Sequence, residues 1–152
     1  MLKRVRPANV KLIFGFLFSD TGIYKKIRSL LEEQFGPIDY ESERIPFTYT
    51  DYYTDEMGSG LIRRFIGHRY LIDPHRGLIE SKLKALELEN RYAQNGKRRI
   101  NIDPGYLSLS KLVLSSTKDF YHRIYIGKGL FAEVTLNYTR KDGFSGYPWT
   151  FP

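Results

Sequence analysis

The chain has 152 residues, a net charge of +7 and no cysteine. The missing cysteine excludes a disulfide scaffold, a thiolate zinc site and a cysteine nucleophile. Hydrophobic residues at 41% and aromatics at 15% exclude a disordered chain, and the length suits one domain over residues 1–152.

Positive charge favours anionic partners: a phosphorylated small molecule, a nucleotide or nucleic acid. The cations form no single block. They lie along the whole chain, with small clusters at Arg63-Arg64, Lys97-Arg98-Arg99 and Arg140-Lys141. Lys3, Arg4 and Arg6 precede the apolar run Val10–Phe18, in the manner of a secretion signal. However, Asn9 and Lys11 interrupt its start and no small-residue cleavage site follows. No stretch approaches the roughly 18–20 apolar residues of a membrane helix. The expected setting is the cytoplasm, with no membrane partner.

Taken in order, Val10–Phe18 (VKLIFGFLF) reads as a strand buried on both faces. Ser19-Asp20 offers a helix cap, and Ile23, Ile27, Leu30, Leu31 and Phe35 recur at helical spacing up to the stop at Gly36-Pro37. Ile38–Phe47 is expected to be a second strand with an exposed face. Thr48–Gly60, rich in Tyr, Asp and Gly, is a long hairpin loop or irregular edge. Leu61–Ile72 is a third strand. Leu78–Gln94 is a second helix whose apolar stripe is Ile79, Leu83, Leu86 and Ala93, and Asn95-Gly96 closes it. Arg98–Ile102 is a fourth strand, ended by a turn at Asp103-Pro104-Gly105.

This β-α-β-β-α-β order predicts an α+β fold of the ferredoxin-like, split βαβ type, with two helices on one face of an antiparallel sheet. The remaining residues supply about three further strands, which extend the sheet or fold over its open face.

Chemically capable side chains concentrate in Asn101–Tyr138. Its string NIDPGYLSLSKLVLSSTKDFYHRIYIGKGLFAEVTL resembles a bacterial and archaeal family known as domain of unknown function 4416. So do PFTYTDYYTDEMG at Pro46–Gly58, the terminal YPWTFP and, more loosely, the opening VKLIFGFLFSD. The resemblance covers nearly the whole chain and implies no activity. A GTP-binding label attached to some members finds no motif here, since the chain has neither GxxxxGK[ST] nor GxGxxG.

A hairpin at Gly127–Gly129 places either His122 or Arg123 opposite Glu133, depending on whether the loop has two residues or three. Directly opposed side chains lie about 5 Å apart at Cβ. His122 and Glu133 are therefore candidates for an acid and base pair, or for a cross-strand contact that sets register. Ser116 and Lys118 at a strand end, with Arg123 and Arg99 near, could hold a phosphate. Asp103 is a turn former or a further base. With His122 and Glu133 it would make an oxygen and nitrogen site for Mg²⁺, Mn²⁺ or Zn²⁺. Glu56, in the Tyr-rich loop, is a candidate ligand contact. Lys82 and Glu89 share one helix face, and either reach a site at the helix–sheet boundary or are surface charges. The favoured reading is a protein that binds, and could act on, a phosphorylated small molecule or nucleotide. The alternatives are an RNA-binding or RNA-modifying protein and a non-catalytic interaction module.

Overall fold

The computed structural model describes residues Met1–Pro152. In chain order its elements are β1 (Val10–Phe18), α1 (Thr21–Phe35), β2 (Ile38–Glu41), β3 (Ile45–Pro46), α2 (Thr54–Met57), β4 (Ile62–Ile72), α3 (Arg76–Arg91), β5 (Ile100–Leu107), β6 (Lys111–Ser116), β7 (Arg123–Gly127), β8 (Leu130–Thr139) and β9 (Gly143–Gly146). All nine strands join one sheet in the order β2-β4-β1-β5-β6-β8-β7, with β3 paired to β4 and β9 to β8. Every pairing is antiparallel. No helix is long and apolar enough to cross a membrane.

The expectation of a ferredoxin-like α+β fold is overturned. The helices have 15, 4 and 16 residues, and the architecture is dominated by the nine-stranded sheet. The physical reason lies in the C-terminal third. There β6, β8, β7 and β9 pair edge to edge with β5 and with one another, so the ladder continues and sheet outweighs helix.

β1 is the axis. Phe14, Phe16 and Phe18 point to one face and are fully buried with Tyr24, Ile27 and Leu31 of α1 and Ala85 and Leu88 of α3. Each such Phe contributes roughly 1.5–3 kcal/mol by burial. Asp20 caps α1, accepting from the amides of Gly22 at 2.8 Å and Ile23 at 3.2 Å. Gly36 ends the helix at φ 97°. On the opposite face Leu17 packs with Phe47, Met57 and Leu61, and with Tyr53 of the Tyr-rich loop. Apart from that small cluster, this second face carries no helix and is called the open face below.

Three local expectations need correction, and a fourth, left open between two registers, is resolved. The second strand breaks into β2 and β3 at Ser42, whose amide still donates to the Phe65 carbonyl but whose hydroxyl, not its carbonyl, takes the Phe65 amide, the carbonyl going to Arg64 Nε. Asp103-Pro104-Gly105 is not a turn but the middle of β5, held by β1 through Gly15 opposite Asp103 and Phe14 opposite Pro104. Pro104 is tolerated because alternate residues of a strand send their amides to the same side. The Ile102 amide goes to Glu89 Oε2 at 2.8 Å, away from β1, so the amide Pro104 lacks also faces away from β1. The apolar face of α3 is rotated from the predicted stripe: Leu83 is exposed, while Leu78, Ser81, Lys82, Leu88 and Glu89 are buried. The hairpin takes the register with Arg123 opposite Glu133. It turns on Lys128-Gly129 at φ 52° and 76°, both central residues left-handed, as a type I′ turn requires.

Candidate functional site

The structure divides the predicted site residues among several places. His122, Arg123 and Glu133 come together. Glu133 Oε1 accepts from His122 Nε2 at 2.8 Å and from Arg123 Nε at 3.2 Å, and Oε2 accepts from the Thr135 hydroxyl at 2.9 Å. Lys118 joins through its backbone alone, since its carbonyl accepts from Arg123 Nη1 at 3.0 Å. Ser116 caps the same turn, its hydroxyl accepting from the Lys118 amide at 3.1 Å.

Aromatic rings wrap this cluster. The indole of Trp149 stacks on the His122 imidazole with ring centres 5.1 Å apart and an interplanar angle of 16°. Phe120 and Tyr121 meet that imidazole edge-on at 5.6 and 4.9 Å. His122 Nδ1 is buried without a hydrogen-bond partner. The C-terminal segment is thereby strapped to β8: Trp149 Nε1 donates to the Val134 carbonyl and the Thr150 hydroxyl to that of Thr135. Both Glu133 oxygens are occupied by protein donors and the ring nitrogen opposite is sealed. The cluster is therefore built as a latch for the strap, whatever further chemistry it supports.

The other predicted residues stand apart. Glu56 is spanned by Arg98, whose Nε and Nη2 each lie 2.9 Å from a separate carboxylate oxygen. That contact holds its carboxyl below the ordinary value. Arg98 also reaches Asn101 Oδ1 at 2.7 Å and Glu89 Oε2 at 3.5 Å, so one guanidinium ties α2, α3 and β5 together. Burial raises the Glu89 carboxyl despite these donors. Arg99 turns to Gln94 and to the α1 cap Asp20. Lys82 is only 7% exposed, on the sheet-facing side of α3. Asp103, His122 and Glu133 do not assemble as metal ligands, and no group of three or more His, Asp or Glu side chains is placed to hold a metal.

Asp103 nonetheless marks a second arrangement, one the sequence reasoning missed. It lies on the open face, opposite Gly15 of β1. Across β1, on β4, are Phe65 opposite Gly15 and Arg63 opposite Leu17. With no side chain at Gly15, the rings and fork of β4 lean inward. A Cβ there would sit 3.1 Å from the Phe65 ring and 3.7 Å from Arg63 Nη1.

The Arg63 guanidinium stacks on Phe47 at 5.0 Å and Phe65 at 5.7 Å. Its neighbour Arg64 is bound, to Glu41 at 3.1 Å and to the Ser42 carbonyl at 2.9 Å. The Arg63 guanidinium has no hydrogen-bond or ion-pair partner within the protein. Burial works against its charge, and the nearby Asp103 carboxylate and Tyr53 phenol partly restore it. Tyr53, above the same floor, has its phenol pushed up by burial and then by Asp103. Asp103 itself accepts one hydrogen bond, from Asn101 Nδ2 at 2.9 Å, and makes no ion pair. Phe151 of the strap stacks on the other end of this wall, against Phe47 at 6.3 Å. The available signal in the sequence was Gly15 itself: a glycine inside an apolar central strand marks a close approach.

The helix-covered side holds a broad shallow depression between α1 and α3. Its charged residues, Lys25, Lys26, Glu33 and Arg91, are all exposed. Neither a curated protein nor a solved structure gives a match to the chain. The family model described as Domain of unknown function (DUF4416) matches residues 8–152, so the chain belongs to that family.

Proposed function

We propose that this protein binds a phosphorylated small molecule or nucleotide on the open face of its sheet, in a cytoplasmic setting that accords with the absence of cysteine. The observation that carries the reading is Arg63: a half-buried guanidinium, fixed between two aromatic rings, with none of its five donors used by the protein. Its nitrogens are reached by solvent rather than by the protein, so they are free to meet a phosphate, which answers the fork with paired oxygens. A thermal-shift screen of wild type and Arg63→Ala against phosphate-bearing compounds tests it. Wild type should gain about 2.7 kcal/mol at a ligand concentration of 100 times Kd, and Arg63→Ala should gain nothing. A full shift in Arg63→Ala, or no shift in wild type at millimolar ligand, refutes the assignment.

A second reading, single-stranded RNA, is favoured by one feature. Phe120, Tyr121 and Tyr125 are 60%, 75% and 61% exposed, between the exposed Lys118 and Lys128. Rings beside cations suit base stacking. Binding that weakens with salt and with Tyr121→Ala would support it, and salt-independent binding would contradict it.

A further inference from the structure

We infer that the ligand of the Arg63 site is a phosphorylated sugar, free or within a nucleotide: Arg63 takes the phosphate, and the Asp103 carboxylate takes hydroxyl groups of the sugar. The inference rests on the reading of Arg63 as an anion holder and goes on to say what else the ligand carries.

Asp103 is the reason. A pocket evolved for a bare anion gains nothing from a carboxylate on its floor, since like charge repels the ligand. Here Asp103 and Arg63 share the open face, flank the same glycine and influence each other electrostatically. Yet they form no ion pair. An ionised carboxylate only accepts hydrogen bonds. One Asp103 oxygen receives Asn101, and the other has no donor in the protein. The molecule that completes this site therefore brings an anion at one end and hydrogen-bond donors at the other.

Spacing selects the class. β4 and β5 each neighbour β1, so their backbones stand about 10 Å apart, two interstrand spacings. Arg63 and Phe65 lean across that gap over Gly15. One ligand that meets both Arg63 and Asp103 must therefore reach across β1, as a phosphate joined to a hydroxyl-bearing ring does and a lone phosphate does not. Phe65, half-buried beside Arg63, supplies an apolar edge for the ring's C–H groups, and the Tyr53 phenol, which makes no hydrogen bond within the protein, adds a further polar contact above. β5 and β6 pair only over Gly105–Leu107 and Leu112–Leu114. Beyond Gly105 the backbone ladder ends and side chains take over, the Ser115 hydroxyl donating to the Pro104 carbonyl and Glu89 accepting from the Ile102 amide.

Calorimetric titration of wild type, Arg63→Ala, Asp103→Ala and Asp103→Asn with inorganic phosphate, ribose 5-phosphate and adenosine monophosphate tests this. Wild type should bind ribose 5-phosphate about tenfold or more tighter than phosphate, the worth of hydrogen bonds to a charged acceptor. Asp103→Ala should lose that preference while binding phosphate as well as wild type or better, because a neighbouring negative charge is gone. Asp103→Asn, which keeps the shape and one acceptor, should fall between. Arg63→Ala should lose all three ligands. A preference unchanged in Asp103→Ala overturns the sugar assignment and leaves the Arg63 reading standing. Undiminished binding by Arg63→Ala, or no binding of any probe to wild type, overturns both. Adenosine monophosphate binding about tenfold tighter than ribose 5-phosphate identifies a nucleotide, and equal binding a free sugar phosphate. Melting curves of each variant confirm that it is folded.

Discussion

Glu133→Ala is expected to free the C-terminal strap and to cost a substantial part of the fold's stability. Glu133 is 8% exposed and accepts three side-chain hydrogen bonds, from His122, Arg123 and Thr135. Its removal leaves His122 with neither ring nitrogen bonded, inside a box made by Trp149, Phe120 and Tyr121. Hydrogen bonds to a charged acceptor are worth about 1.5–3 kcal/mol each. Against that stands the relief of no longer desolvating a carboxylate. The net expectation is a loss of about 2–4 kcal/mol, or roughly 5–15 °C in Tm for a chain of this size.

Trp149 makes the local consequence separately visible. It is the chain's one tryptophan, and its indole lies on the imidazole that Glu133 holds. Well below the melting temperature, Glu133→Ala should shift the emission to the red and increase iodide quenching, while far-UV circular dichroism stays unchanged. Glu133→Gln keeps the volume and can place its oxygen on His122 and Arg123 and its amide on the Thr135 hydroxyl, so it loses the charge but no partner and should cost only about 1 kcal/mol. A Glu133→Ala protein that melts within about 1 °C of wild type with unaltered Trp149 emission would refute the latch.

Gly105→Ala should destabilise by about 1–3 kcal/mol in urea unfolding, because its Cβ would meet Leu114 Cδ2 and the Val113 carbonyl oxygen, both at 2.5 Å; a neutral outcome would mean that β5 and β6 can separate freely. His68 should make the fold acid-sensitive. Its Nδ1 lies 2.9 Å from the Gly36 carbonyl, which can only accept, so the proton is on Nδ1 and the buried Nε2 has no partner. Burial lowers its pKa from the model-peptide value near 6.5. The unfolded chain then takes the proton first as pH falls, so the contribution is complete above about pH 6.5 and is lost from there down to the folded value; the slope of Tm between pH 7.5 and 5 should flatten in His68→Phe, and an equal slope would refute it. Glu56→Ala should cost about 1–3 kcal/mol by stranding Arg98, and should expose the segment around Met57 to limited proteolysis; unchanged cleavage would show that α2 is held by Phe47, Leu17 and Leu61 alone.

Local signals in the sequence translated well where the deciding contacts were also local. The cap at Asp20, the periodic face Ile27, Leu31 and Phe35, and the stop at Gly36 all concern residues within one helix of each other. α3 defeated the same logic because its buried face includes polar residues. Glu89 is held there by the Ile102 amide and Arg98, neither of which is legible from helical spacing. Asp103-Pro104-Gly105 has the composition of a turn, and only pairing with β1 draws it straight. The fold class failed for a related reason. Strand pairing between β6 and β8, or β8 and β9, depends on partners whose register no single segment announces, so their addition to one sheet could be posed but not decided.

The candidate site shows the same limit in its sharpest form. Gly67, Ile13 and Gly105 lie in one row across β4, β1 and β5, and Gly15 lies one step along on β1. In the chain these glycines are far apart, and each is unremarkable where it stands. Assembled, they leave Ile13 as the one side chain among four central positions of the open face. Long neighbours fill the space: Lys11 over Gly67, Leu114 over Gly105, and Phe65 with Arg63 over Gly15. Two of these three fillings are complete in themselves. Lys11 reaches Asp39 and the His68 carbonyl, and Leu114 needs no polar partner. Over Gly15 the filling side chain is a guanidinium whose donors are unused. Arg63 leans toward Gly15 yet forms no ion pair with any carboxylate of the protein, Asp103 included, and that is the physical ground for placing a ligand there rather than at the more conspicuous but self-satisfied cluster around Glu133.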